Sequence, residues 1–296
     1  MRVGLAGIGK MGAAIAARLH ETGSDVVVWN RSPEKAIATG LPVADSPDQL
    51  AGQCDIILSC LFDETAANTV YHGADGLVHG ADGKLFIEMS TLRPEVQRSL
   101  ATTIKNAGGA FIECPVGGTT GPARAGQLIG LVGGEVADLE RARPILEKLC
   151  RRIEHMGPTG SGALAKLAIN LPLVVFWQAL GEAFALARPL GKDPEWMIQL
   201  FTETAGGANV LKVKAPAVAA ALEGNPDVAA TFDIDSMRKD LRMMRSEAAA
   251  LGVALPLASQ TLAVFDEAAA VGLGSRDCAY APAYWASRTG DRTPPD

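Results

Sequence analysis

From Met1 to about Met156 the chain alternates short apolar runs with helical stretches. The runs RVGLAG, DVVVWN, DIILSCL, KLFIEM, AFIECPV, LIGLVGG and RRIEHMG read as strands, and the helix-length segments between them predict parallel βαβ units. After Gly160 the β-type runs stop. Ala-, Leu- and Met-rich segments with helical periodicity take over to about residue 272, which predicts an all-α second half. The boundary falls in HMGPTGSG, His155 to Gly162, where Gly, Pro, Thr and Ser cluster. The expected division is 1–160 as an α/β domain and 161–290 as a helical domain, with 161–188 as a long interdomain helix and 291–296 as a frayed tail.

That interdomain helix, GSGALAKLAINLPLVVFWQALGEAFALA, is long enough to suggest a membrane span. However, Lys166, Asn170, Gln178 and Glu182 recur at multiples of four and so form one polar stripe, while Pro172 and Gly181 interrupt the run. A buried helix is the better reading, because a mid-span Lys and Glu are costly in lipid. Between Glu154 and Glu182, Lys166 is the one residue with a fixed charge, which marks it as a candidate for chemistry.

Composition narrows the field. The 296 residues suit two domains, and 48% hydrophobic with 20% charged residues at net charge −6 is ordinary globular chemistry. No Lys/Arg cluster stands out, so no nucleic-acid partner is expected. The five cysteines (Cys54, Cys60, Cys114, Cys150 and Cys278) are scattered and lack CxxC spacing, which suggests neither a disulfide framework nor a metal site and fits a reducing cytoplasm. The N-terminus runs directly into a glycine-rich turn and reads as part of the fold rather than as a signal peptide.

That turn is Gly7-Ile8-Gly9-Lys10-Met11-Gly12, a GxGxxG string between a strand and an amphipathic helix. In this context Gly7 allows the tight turn, Gly9 lets a pyrophosphate approach the backbone, and Gly12 permits close helix-to-strand packing. The first half is thus expected to be a Rossmann-type dinucleotide-binding domain. An acid preferring NAD should close the second strand, yet Asn30, Arg31 and Ser32 stand there. No carboxylate repels a 2′-phosphate and Arg31 can pair with one, so NADP is expected over NAD.

Ligands of such sheets lie outside the carboxyl ends of the strands. Ser90 and Thr91 follow the strand of FIEMSTLRPE; the bland alternative is an N-cap before Pro94. Gly117, Gly118 and Thr119 form a turn whose amides could cradle a carboxylate. Lys166 and Asn170, four apart, share a helix face at the start of the linking helix. A lysine there, desolvated and near an oxidised nicotinamide, is a candidate general acid/base; the bland alternative is a snorkelling lysine. On pattern alone Lys239 and Asp240 read as surface charges.

Taken in order, GLAGIGKMG, MSTLRP, CPVGGTTGPARAGQL, GSGALAKLAIN and MRKDL resemble the β-hydroxyacid dehydrogenase family over essentially the whole chain, to about residue 285. The resemblance implies reversible NAD(P)-dependent oxidation of a small 3-hydroxy acid to its semialdehyde. It casts Lys166 as the catalytic acid/base with Asn170 as partner. Ser90 and Thr91 fall in the substrate and nicotinamide turn, Gly117, Gly118 and Thr119 in a second, substrate-carboxylate turn, and Lys239, Leu61 and Phe62 near the cofactor. It also implies a homodimer or homotetramer. The chain departs from the family pattern in three places: Gly117 replaces a usual serine, Glu88 a usual aspartate, and Leu61-Phe62 a usual Leu-Pro. The competing readings are an imine reductase, which resembles this fold but typically lacks the lysine, and a non-catalytic NADP-binding regulator. A decarboxylating sugar-phosphate dehydrogenase generally needs a longer chain.

Overall fold

The computed structural model describes residues 1–226 and 228–288. The tail expected at 291–296 lies outside them. The described residues form two compact units, Met1–Leu167 and the residues from Ala168 on, divided inside a helix a few residues after the glycine-rich boundary of the sequence.

The first unit runs β1 (Arg2–Ala6), α1 (Lys10–Glu21), β2 (Asp25–Trp29), α2 (Pro33–Ile37), α3 (Pro47–Gln53), β3 (Ile56–Ser59) and α4 (Glu64–His72). It continues with β4 (Leu85–Glu88), α5 (Pro94–Asn106), β5 (Ala110–Glu113), β6 (Val116–Gly117), α6 (Thr120–Ala125), β7 (Leu128–Gly134), α7 (Val136–Leu149) and β8 (Cys150–Gly157). The sheet order is β2-β1-β3-β4-β5-β7-β6, with β8 paired to β7. The first five strands are parallel, as a βαβ reading requires. By contrast, β7 is antiparallel to β5 and β6. The expectation of parallel units throughout therefore fails here, because β6 pairs back onto β7 and the intervening α6 is only six residues, too short for a crossover helix.

Strands β1, β3 and β4 read as unbroken apolar runs because both faces are covered. Leu5, Leu58, Ile87 and Ile112 pack on one side with Ile15, Leu19, Ile145 and Leu146. Val27, Ile57, Phe86 and Phe111 pack on the other with Leu50, Tyr71, Leu100 and Ile104. The last residues of five strands share one register row, Trp29, Ala6, Ser59, Glu88 and Glu113. The order reverses at β1, which places the switch-point crevice between the turns after β1 and β3.

Helix α8 (Ser161–Ala187) carries the chain from the first unit into the second, where α9 (Pro194–Thr202), α10 (Asn209–Leu222), α11 (Ile234–Ala250), α12 (Pro256–Ala268) and α13 (Tyr280–Ser287) follow. By length and composition α8 could cross a membrane. Within the second unit it buries Val174, Trp177, Leu180 and Phe184, the last edge-on to Phe201 at 5.6 Å between ring centres. Lys214 Nζ lies 2.6 Å from the fully buried Asp277 carboxylate. That carboxylate also accepts the Thr231 N–H at 2.9 Å and the Ala279 N–H at 3.1 Å.

Candidate active site

After β1 the chain turns at Gly7, whose φ of +98° lies where glycine is favoured and where a Cβ would meet the Cys60 carbonyl oxygen at 2.4 Å. A Cβ at Gly12 would fall 1.9 Å from the Gly7 carbonyl oxygen, so α1 can seat against the turn only with glycine there. Gly9 differs, since a Cβ on it would meet nothing within 4 Å and its bare side opens onto a cavity. Helix α1 has Gly9 at its N-cap, with no side-chain cap and no acid in its first turn, an arrangement that favours an anion at its N-terminus.

The cavity, about 670 Å³, is lined by Gly7, Ile8, Gly9, Asn30, Arg31, Ser32, Leu61 and Phe62 among the sequence-expected residues. Lys10, Met11 and Gly12 run on into α1 and do not line it. Asn30 is a structural tie as well as a wall: its Oδ1 accepts the Ile8 N–H at 2.8 Å and its Nδ2 donates to the Ser32 carbonyl at 3.0 Å. Sequence reasoning missed Lys35, which lines the same cavity from the short helix α2 after β2; a second cation close behind Arg31 in NRSPEK was the available signal. Open space at Gly9 and an uncapped helix start fit a dinucleotide, and Arg31 and Lys35 stand beside a β2 end without a carboxylate.

Ser90 is buried, and its hydroxyl accepts the Leu61 N–H at 2.7 Å, tying the turn after β4 to the cavity wall after β3. Its own N–H donates to Glu88 Oε1 at 2.7 Å. Glu88, fully buried, also accepts from Ser59 Oγ at 2.5 Å, and Ser59 is in turn 2.7 Å from the Tyr71 hydroxyl. Burial pushes the Glu88 carboxyl above the ordinary range, opposed by hydrogen bonds from Ser59 and Ser90. The N-cap alternative for Ser90 and Thr91 falls away, because Arg93 occupies the N-cap position of α5 and no side chain caps that helix start.

Gly117 ends β6, Gly118 follows with φ +125°, and Thr119 precedes α6 without a side-chain cap bond. A Cβ at Gly117 would have no neighbour closer than 3.7 Å, so the serine usual in this motif fits the backbone.

Lys166 and Asn170 share a face of α8, with Lys166 half-buried and Asn170 buried. Asn170 Nδ2 donates to Asp240 Oδ2 at 3.0 Å, and Lys239 Nζ lies 3.2 Å from Asp240 Oδ1. A single carboxylate therefore joins two of the expected site residues. The reading of Lys239 and Asp240 as surface charges is corrected here: Asp240 is 2% exposed. It falls on the buried face of α11 with Met237, Leu241 and Met244, a three-four-seven spacing legible in the sequence.

Comparison with known proteins identifies the family. Residues 2–157 match the NAD binding domain of 6-phosphogluconate dehydrogenase, and residues 160–284 match the family described as NAD-binding of NADP-dependent 3-hydroxyisobutyrate dehydrogenase. The 3-hydroxyisobutyrate dehydrogenase of Pseudomonas aeruginosa is 33% identical over 85% of this chain and 86% of that one. Glyoxylate/succinic semialdehyde reductase 1 of Arabidopsis thaliana is 30% identical over 94% of this chain and 96% of its own length. The solved Mycobacterium tuberculosis 3-hydroxyisobutyrate dehydrogenase with L-serine superposes with a TM-score of 0.81 at 27% identity, covering 95% of this chain and 97% of that one. An imine reductase from Myxococcus stipitatus shares the fold at a TM-score of 0.63 and 20% identity, over 95% of this chain and 98% of that one. The chain belongs to the β-hydroxyacid dehydrogenase family and is an NAD(P)-dependent oxidoreductase acting on CH–OH groups.

Proposed function

We propose that this protein is an NADP-dependent oxidoreductase interconverting a small 3-hydroxy acid, or a related hydroxy acid, and its semialdehyde, with Lys166 as the general acid/base. The observation that carries the cofactor half of the reading is the cavity wall where Arg31 and Lys35 stand and no carboxylate closes β2. The nicotinamide, when bound, supplies or accepts the hydride at the carbonyl carbon. Lys166 gives its proton to the oxygen as the carbonyl is reduced and takes it back in the reverse direction. Asn170, held by Asp240, orients the group at the lysine. Ser90 and the Gly117–Gly118–Thr119 turn receive the substrate carboxylate, with Thr119 or the turn amides standing in for the hydroxyl that Gly117 lacks. Thr91 and Lys239 serve the cofactor by resemblance.

The cytoplasm is the proposed compartment, which suits the buried thiols Cys54, Cys114, Cys150 and Cys278. A homodimer or homotetramer is supported by apolar residues left exposed on the second unit, with Leu186 at 84% and Val213 at 81%.

The test is NADPH oxidation with succinic semialdehyde, glyoxylate, methylmalonate semialdehyde, tartronate semialdehyde and a cyclic imine, each repeated with NADH. Turnover of an aldehyde acid, with NADPH preferred, supports the reading; turnover of the imine alone replaces it with imine reduction. Lys166→Ala should lower kcat by roughly a hundredfold or more, the usual scale of a general acid, while NADPH binding stays nearly intact. Unchanged kcat in that variant would remove the lysine from the mechanism.

A further inference from the structure

One buried acid in the first unit has no part in the mechanism above. Glu113 ends β5 and is fully buried. Its Oε1 accepts the Gly160 N–H at 2.9 Å and the Ala163 N–H at 3.1 Å, and the Gly162 N–H bonds the same carboxyl. These are donors that a helix start leaves without partners, and Gly160 has no side chain with which to cap them. A strand residue 47 positions away thus does the work of an N-cap for α8.

The surroundings are shaped to admit that carboxylate. A Cβ on Gly133, in β7, would come 2.3 Å from Glu113 Oε1. A Cβ on Gly162 would fall 2.3 Å from the Leu131 carbonyl oxygen and 3.2 Å from Glu113 Oε1. Both glycines leave room for the acid and bring the first turn of α8 against the sheet. Ala163, bonded to Glu113, precedes Lys166 by three residues and Asn170 by seven, so all three lie on one face of the helix.

We propose that Glu113 is the positioning residue for Lys166: its carboxyl fixes the start and the rotation of α8, and thereby where the lysine ammonium sits. A helix rotation of about 15° would carry a group roughly 6 Å from the axis through about 1.5 Å, a displacement that costs on the order of a hundredfold in a proton-transfer geometry. Ordinary capping would require only that the helix form, whereas this role requires that it form at one angle. The proposal rests on the reading of Lys166 as acid/base.

The test uses the full chain with NADPH and succinic semialdehyde, or glyoxylate. Glu113→Met keeps the volume and removes the acceptor; Glu113→Gln keeps an acceptor oxygen; Glu113→Ala is a second deletion should the methionine variant fail to fold. Expected is a loss of kcat of about tenfold or more in E113M, with KM for NADPH changed less than about twofold, and recovery to within about threefold in E113Q. Amide exchange at residues 160–163 should quicken in E113M and stay protected in E113Q. In a Lys166→Ala background E113M should cost nothing further, because a residue that acts through the lysine has nothing left to position. Wild-type kcat in E113M, unaltered exchange at 160–163, or an undiminished E113M loss on top of K166A overturns the proposal while leaving the lysine in place. Wild-type kcat in K166A alone overturns the acid/base reading, and the positioning role falls with it.

Discussion

Asn30→Asp tests the cofactor assignment at one atom. The aspartate keeps an oxygen to accept the Ile8 N–H, now at 2.8 Å, but loses the donor that holds the Ser32 carbonyl at 3.0 Å. That neutral hydrogen bond contributes about 1 kcal/mol to the loop. The greater effect is electrostatic. Taking a separation of about 6 Å, a new carboxylate would repel one charge of a 2′-phosphate by roughly 2.8 kcal/mol at an effective dielectric constant of about 20, or about a hundredfold in Kd. For NADH the same carboxylate accepts from the ribose hydroxyl, so affinity holds or improves. The assay is fluorescence titration of the purified protein with NADPH and with NADH at fixed, moderate salt, because exposed charges are screened. A parallel melting curve separates loop damage from selectivity. The ratio of the two dissociation constants should swing by roughly a hundredfold toward NADH. An N30D protein that melts normally and keeps its NADPH affinity within threefold would refute the placement of the 2′-phosphate at the end of β2.

Gly117→Ser should fold normally, since its Cβ has 3.7 Å of clearance, and should lower KM for carboxylate substrates several-fold by restoring a hydroxyl to the turn; an unchanged KM across the panel would place the carboxylate elsewhere. Lys214→Met strands the buried Asp277 carboxylate and should destabilise the protein by about 3 kcal/mol at neutral pH, read from denaturant melts. Burial raises the Asp277 pKa, but bonds from Lys214, Thr231 and Ala279 outweigh it and hold the group below its usual range. A depressed carboxylate contributes stability above its unfolded pKa of about 3.9 and loses it as pH falls through the folded value. The penalty of K214M should therefore shrink below about pH 4; a penalty independent of pH would mean that the pair contributes only packing.

Much of the fold was legible because its signals are local. The apolar runs from RVGLAG to KLFIEM are buried on both faces and could only be strands of a covered parallel sheet. The glycine string was legible because each glycine answers a separate demand, namely a positive φ at Gly7, open space at Gly9 and a backbone approach at Gly12. The antiparallel return of β7 was not legible, since the choice between a crossover and a hairpin depends on a two-residue strand, β6, too short to show a period. Asp240 was misread for another reason: a charge in MRKDL looks solvated unless the spacing of Met237, Leu241 and Met244 is given more weight than its polarity.

What the sequence conceals is the use of strand ends. Ser59, Glu88 and Glu113 close three adjacent strands in register, and each is fully buried. Read along the chain, they are isolated polar residues at the ends of apolar runs, where a solvated turn is the ordinary expectation. Their partners lie 29 and 47 residues away: Ser59 donates to Glu88, while Glu113 accepts from Gly160. Register therefore turns three unrelated positions into one buried row. Through Ser90, Glu88 couples the turn after β4 to the cavity wall at Leu61, and Glu113 holds the helix that bears Lys166. A buried acid held by several hydrogen bonds is costly to move, because breaking them leaves an uncompensated polar group in a low dielectric. The same penalty makes the row a rigid reference, from which the cofactor wall and the lysine helix are each set by hydrogen bonds of known length.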